Sequence, residues 1–424
     1  MTFRSLKALI YNITNQNYLY LHKYLYLVLK NEIFMIQVAE ALNIIAENSC
    51  KMPIAKIKVS KSLGYVLAEA VYSPINMPPF RQSAMDGYAF THNGSNQFEV
   101  VNTSQAGDFL DDKIKENQAV RIFTGAFVPD DTDTVVMQEH TTRTDNLLQI
   151  EKMPAACANV REKGEQIKKG ELVFDVNTVI TPAAIGFLAC LGITKIKVYQ
   201  KPKVAILVTG NELVPAGNKL PKGKIYESNS LMIEAALQTI GIKKTTVFKV
   251  KDSLKKTIKA VESCLANFDV LLISGGISVG DYDYVKEALL KNGVTELFYK
   301  INQKPGKPLF FGTKENKIVF ALPGNPASSL TCFYVYAFPA LKKLMGFEAI
   351  HLPEMKKKIS TDFKNTTGKT LFLKALYGDE KVTVLESQSS AMLNTFSVAN
   401  GLIVIPHDIT HVKANQEVVV LPFN

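Results

Sequence analysis

The stretch MPPFRQSAMDGYAF, Met77 to Phe90, sets one carboxylate, Asp86, among small and aromatic residues just downstream of two prolines and an arginine. A carboxylate on a proline-stiffened loop can orient a nucleophile or hold a cation, and an ordinary turn acid has the same look. Further on, three apolar runs each end in a glycine turn. VAILVT ends in Thr209-Gly210-Asn211-Glu212, and DVLLIS ends in Ser274-Gly275-Gly276 and continues through Ile277 and Ser278 to Tyr284. IVFAL ends in Pro323-Gly324-Asn325-Pro326. Glycine lets backbone N–H groups approach a phosphate closely, and small hydroxyls add donors. One such turn is commonplace, whereas three on successive strands point to an anion or phosphate site.

Acids cluster at the same places. Glu212, Asp252, Asp281 and Asp283 fall at or just after the predicted strand ends. Helix capping explains such acids without chemistry, most readily Asp281 and also Asp252. The competing reading is a Mg²⁺ ion held by one or two of these carboxylates together with substrate phosphates. KPGKP, Lys304 to Pro308, carries two lysines on a stiff turn. They are either arranged to grip an anion or merely solvated.

These residues need a frame. From Lys203 onward buried apolar strands alternate with amphipathic helices, which predicts a parallel sheet covered on both faces, with ligands beyond its strand ends. A last helix starts at Pro326, with a kink expected at Pro339. Residues 95–152 read as short strands between Asp, Gly and Pro clusters, a small β-domain. TPAAIGFLACLGI is a helix capped by Thr181 that ends near Gly192. After about residue 350 the helices stop and strand-like runs predict a β-barrel or sandwich. The fold class is therefore multidomain α/β plus β: a central doubly wound α/β domain, an inserted small β-domain and a C-terminal β-barrel-like domain.

Composition narrows the function. The net charge of +10 comes from scattered lysines, and no nucleic-acid-binding motif is present, so anionic small substrates are expected rather than nucleic acid. The five cysteines are isolated, which fits a reducing cytoplasm, and the six histidines do not suggest zinc hydrolysis. The first 34 residues, with NYLYLHKYLYLVLK, have neither a signal cleavage site nor an unbroken membrane span. Met35 opens a helix whose face is Ile36, Ala39, Leu42 and Ile45, and it is the expected true start, the segment before it being an extension or mis-assigned.

SAMDGYAF, IFTGAFVP, DTVVMQEHT, KGEQIKKGELVF, VTGNEL, IYESNS, SGGISVGDYDYVK, KPGKPLFFG and LPGNPASSLTCF together resemble the molybdopterin molybdenumtransferase family, MoeA, and the related E domain of gephyrin. The resemblance runs in one order from about Met35 to the C-terminus. It implies that the chain takes adenylylated molybdopterin from a molybdopterin adenylyltransferase, inserts molybdenum from molybdate with Mg²⁺-dependent release of AMP, and serves molybdoenzyme maturation partners. It also implies a homodimer whose cleft is shared between the α/β domain of one subunit and the β-domain of the other. The implied organisation is a linker and dimerisation domain at 35–75 and 165–200, a small β-domain at 76–164, the molybdopterin-binding domain at 201–350 and the barrel at 351–424. By resemblance Asp86, Glu212, Asp283, Lys304 and Lys307 are catalytic, and Glu212, Asp252 and Asp283 take the metal. Thr124, Thr209, Gly210, Ser274, Gly275, Gly276, Ser278, Pro323, Gly324 and Asn325 bind substrate. Two positions depart from the family: Gln166 and Asn211 stand where it commonly has acids, which removes negative charge near the implied cleft. A non-catalytic scaffold and a general nucleotide hydrolase are the rival readings.

Overall fold

The computed structural model describes residues 35–277 and 284–423, so the N-terminal segment and the sequence-predicted site residues Ser278 and Asp283, with Asp281, lie outside the described residues. The chain divides into two units, one made of the chain up to Pro53 with Tyr199–Asn424, the other of Ile54–Val198.

Helix α1 (Val38–Glu47) buries Ala41 and Ile45. Its buried stripe differs from the expected one: Ala39 is exposed, and Ile36 precedes the helix in a β-bridge with Ile301. Val38, Ala41, Leu42 and Ile45 share the inward face because spacings of three and four residues return to one side of a helix.

The Ile54–Val198 unit holds a six-stranded sheet of β1 (Gly87–Phe90), β2 (Gln97–Ser104), β3 (Gln118–Ile122), β4 (Thr134–Met137), β5 (Thr141–Thr144) and β6 (Leu147–Ile150), in the order β4-β1-β3-β2-β6-β5. Alternate residues of β2, Phe98 and Val100, turn onto Tyr88, Phe90, Leu148 and Ile150, the period-2 pattern of a half-buried strand. A second small core packs Leu188 of α2 (Pro182–Cys190) against Leu67, Ile196 and Val198. Helix α2 starts as its sequence dictates: Thr181 Oγ1 accepts the Ala184 N–H at 3.2 Å, with Pro182 in the first turn.

The other unit is built on β7 (Val204–Thr209), β8 (Thr245–Val250), β9 (Val270–Ser274), β10 (Thr295–Lys300), β12 (Pro308–Lys314) and β13 (Lys317–Leu322), with the two-residue strand β11 (Gln303–Lys304) apart from them. The order is β8-β7-β9-β13-β12-β10. Strands β8, β7, β9 and β13 are parallel, but near one edge β12 runs antiparallel to both its neighbours, β13 and β10, so the sheet is mixed where a parallel one was expected. The cause is local. Only Glu315-Asn316 separates β12 from β13, with Glu315 at φ 54°, and so short a link makes a hairpin and never a crossover.

Both faces are covered. Val204, Ile206 and Val208 enter one core with α3 (Asn229–Thr239), while Ala205 and Leu207 enter the other with α4 (Leu254–Asn267) and α5 (Val285–Lys291). This is the doubly wound arrangement predicted from the all-apolar strand. Helix α6 (Pro326–Cys332) passes through a π-turn, Phe333–Ala337, into α7 (Phe338–Leu344). The expected kink thus takes the form of a π-turn just ahead of Pro339, which cannot donate to the carbonyl four residues back.

Beyond residue 350, β14 (Met355–Ile359), β15 (Thr370–Tyr377), β16 (Lys381–Val384), β17 (Gly401–Ile405) and β18 (Glu417–Pro422) close on themselves, since β15 pairs with both β16 and β17. The helices do not stop entirely: α8 (Leu393–Val398) lies between β16 and β17. Strand β11 joins this sheet by pairing in parallel with β15. Among the described residues no helix is long and apolar enough to cross a membrane.

Candidate functional site

Parallel strands β7, β9 and β13 deliver their C-terminal turns to one edge, and a cleft of about 660 Å³ opens there. It is lined by Thr209, Gly210, Glu212, Asp252, Ser274, Gly275 and Gly276, and by Pro323, Gly324 and Asn325. Ten sequence-predicted residues from four separate stretches are thus brought together.

The glycine turn is required by packing. Gly275 and Gly276 sit at φ 91° and 66°, and a Cβ on Gly276 would lie 2.8 Å from Thr209 Oγ1 and 2.7 Å from Val285. A side chain there would be strained in backbone and would displace Thr209.

Asn229, the first residue of α3, ties the turns to one another. Its Nδ2 donates to Ser274 Oγ at 2.8 Å and to the Gly324 carbonyl at 2.8 Å. The carbonyl can only accept, which fixes the amide orientation and leaves Oδ1 as an acceptor. Asn229 Oδ1 and Thr209 Oγ1 are buried without a hydrogen-bond partner among the described residues. Buried polar atoms in native proteins are nearly always satisfied, so two orphans in the lining of one cleft point to a ligand that satisfies them.

Asp252 does not cap α4. Its Oδ2 accepts the Asn211 N–H at 2.9 Å, and Asn211 Oδ1 accepts the Asp252 N–H at 3.3 Å. The neutral Asn211 thus accepts through its side-chain oxygen as an aspartate in its place could. Gln166 is exposed in the other unit.

Lys304 and Lys307 are exposed and do not line the cleft, although Pro308, next to Lys307, does. Their loop runs from β11 into β12.

Asp86 belongs to the Ile54–Val198 unit, at the entry to β1. Its Oδ1 accepts the Thr124 N–H and the Thr124 hydroxyl, each at 2.7 Å. These two donors, with the nearby Arg121 guanidinium, hold the fully exposed carboxyl below its ordinary pKa of 3.8. Arg121 is in turn fixed by the Gly87 carbonyl at 2.7 Å and by Gln138 at 2.6 Å, and it lies over the Phe123 ring.

Three further residues escaped the sequence reading. Asn229 and Glu227 sit in IYESNS, where an acid and an amide precede a helical run. Glu227, buried, accepts from the Ser230 N–H at 2.8 Å and its hydroxyl at 2.6 Å, heading α3. Lys374 is a lone charge within the apolar strand TLFLKAL. It is 3% exposed, and its ammonium donates to the carbonyls of Ser387, Ser389 and Met392 at 2.9, 3.2 and 3.0 Å. The loop it holds carries Ala391 into the cleft lining, and Ser390 Oγ accepts from Asn325 Nδ2 at 2.8 Å.

Among the described residues no three His, Cys, Asp or Glu side chains converge as a metal cage. Glu212 and Asp252 line the cleft together, a donor set that fits Mg²⁺ shared with substrate phosphates rather than one enclosed by protein.

Residues 36–192 match the MoeA N-terminal region (domain I and II), residues 205–343 a probable molybdopterin binding domain, and residues 356–423 the MoeA C-terminal region (domain IV). The molybdopterin molybdenumtransferase of Haemophilus influenzae is 34% identical over 378 residues, covering 87% of this chain and 93% of that protein. That of Staphylococcus epidermidis is 34% identical over 381 residues, covering 88% and 90%. The molybdopterin biosynthesis MoeA protein of Pyrococcus horikosii superposes with a TM-score of 0.79 at 28% identity, over 92% of this chain and 100% of that one. Domain order, cleft and relatives agree, and the chain belongs to the molybdopterin molybdenumtransferase family, MoeA, of molybdenum-cofactor biosynthesis.

Proposed function

We propose that this protein inserts molybdenum from molybdate into adenylylated molybdopterin and releases AMP in a Mg²⁺-dependent step. The observation that carries the reading is the pair of unsatisfied buried atoms, Thr209 Oγ1 and Asn229 Oδ1, beside Glu212 and Asp252 in the strand-end cleft. The Thr209 hydroxyl can donate to a phosphate oxygen. The Asn229 oxygen, an acceptor only, calls for an N–H or O–H group such as a pterin ring carries.

Cleaving a phosphoanhydride demands that charge on the phosphoryl group be neutralised and the nucleophile be held in line. Mg²⁺, held by Glu212 and Asp252 with substrate phosphates and joined by Asp283, would supply that neutralisation. The turns at Ser274-Gly275-Gly276, continued through Ser278, and at Gly324 cradle the pterin phosphate. Lys304 and Lys307 bind molybdate or phosphate oxygens, and Asp86 with Thr124 orients the attacking group. The substrate arrives from a molybdopterin adenylyltransferase.

The working form is a homodimer, in which Asp86 serves the cleft of the other subunit. Exposed apolar side chains support this: Leu63, Tyr72 and Leu172 are 58%, 58% and 49% exposed, with Tyr72 and Leu172 paired across one short ladder. Mixing Asp86→Ala chains with Glu212→Gln chains tests both points. Partial recovery of AMP release in the mixed dimer is expected, and two inactive parents giving an inactive mixture would contradict it.

A further inference from the structure

The two lysines of KPGKP stand on a loop whose underside is polar and buried. Gln303, 1% exposed, sends Nε2 to the Pro305 carbonyl at 3.1 Å and to the Gly306 carbonyl at 3.0 Å. Its Oε1 accepts from the Tyr336 hydroxyl, and Tyr336, fully buried, lies in the π-turn. The Cys332 thiol closes the group: its sulfur is 3.5 Å from Gln303 Nε2 and 3.8 Å from the Gly306 carbonyl. A Cβ on Gly306 would come within 2.4 Å of that sulfur, so the loop is seated directly on it.

Both carbonyls that Gln303 grips lie between Lys304 and Lys307. Burial pushes the Cys332 thiol up to about 12 and the Tyr336 hydroxyl well above 10.0, so both keep their protons at every ordinary pH and stay donors. A glutamine at this depth is costly unless every polar atom is paired, and here each one is. Fixing the backbone between two exposed lysines removes the entropy that a free loop would lose on closing over an anion.

We infer that Gln303, hung from Tyr336 and Cys332 of the α6 and π-turn segment, is a positioning residue that presets the spacing of Lys304 and Lys307 for a tetrahedral oxyanion. The inference rests on the reading that those lysines bind molybdate or phosphate oxygens. It adds that their geometry is set from beneath by a network that touches no substrate.

The test uses the full chain, with molybdate alone as the probe in calorimetry and molybdate-dependent AMP release as the second readout. Gln303→Met keeps the volume and loses the tether. Molybdate affinity is expected to fall about tenfold, the net worth of one ordinary hydrogen bond, with KM for molybdate rising in step and kcat within about twofold. Gln303→Met strands the Tyr336 hydroxyl, so the melting temperature falls too. The double variant Gln303→Met/Tyr336→Phe removes the stranded group and is expected to regain melting temperature while its molybdate affinity stays low. A purely structural role predicts that affinity returns with stability, and wild-type affinity in the double variant would overturn the inference. If Lys304→Ala/Lys307→Ala binds molybdate as the wild type does, the lysine reading fails and takes the inference with it. If the lysine variant binds weakly while the Gln303 variants bind normally, only the tether fails.

Discussion

At Asp86 the structure explains how one exposed carboxylate stays charged and fixed. Two donors from Thr124 meet a single oxygen, so the carboxyl is held in orientation and kept ionised below its ordinary value. With the folded pKa below the unfolded one, whatever this pair adds to stability is present above the unfolded value and is lost as pH falls through the folded one. Thr124→Ala removes the hydroxyl and keeps the backbone donor, so it should raise the Asp86 pKa part of the way towards 3.8 in a carbon-13 NMR titration of the side-chain carboxyls, and an unmoved titration would discard the hydroxyl's share. Asp86→Ala should lower kcat by about two orders of magnitude with little change in substrate affinity. Near-normal turnover in a folded variant would remove Asp86 from the mechanism. Asn211→Asp keeps the oxygen that accepts the Asp252 N–H and adds a charge beside Asp252. Mg²⁺ binding to the protein, followed by calorimetry, should tighten in that variant, and an unchanged affinity would separate Asn211 from the cation.

Among the elements, the strand-end turns were readable because their cause is local. An all-apolar strand followed by glycines and a small hydroxyl or acid has one common outcome, a buried parallel strand opening at its carboxyl end. Glu212, Asp252 and Gly276 were placed together on that logic. What escaped the sequence depends on distant partners. Asn229 binds groups 45 and 95 residues away, and Lys374 reads as an error in an apolar strand until the Ser387–Met392 loop folds over it. The antiparallel edge was missed for a different reason: two residues between β12 and β13 settle direction, and apolar content does not. Lys374→Met leaves three carbonyls without their donor. It should cost about 1–3 kcal/mol in denaturant unfolding and speed amide exchange in the 387–392 loop. Exchange confined to wild-type rates there would mean that the ammonium does not hold the loop.

For the whole molecule, the proposed function divides the work between the two units. One unit supplies a cleft with unsatisfied donors and acceptors beside two carboxylates, and the other supplies a fixed, charged Asp86. If the Tyr72 and Leu172 ladder forms the dimer contact, Leu172→Glu should shift the protein from twice the chain mass to one chain mass in light scattering and abolish turnover. An intact dimer would place the contact elsewhere. Incubating purified protein with adenylylated molybdopterin, Mg²⁺ and molybdate and measuring AMP tests the proposed molybdenum insertion. The account predicts AMP release that requires molybdate and is lost in Glu212→Gln. Release indifferent to molybdate, or none at all from the folded protein, would contradict it.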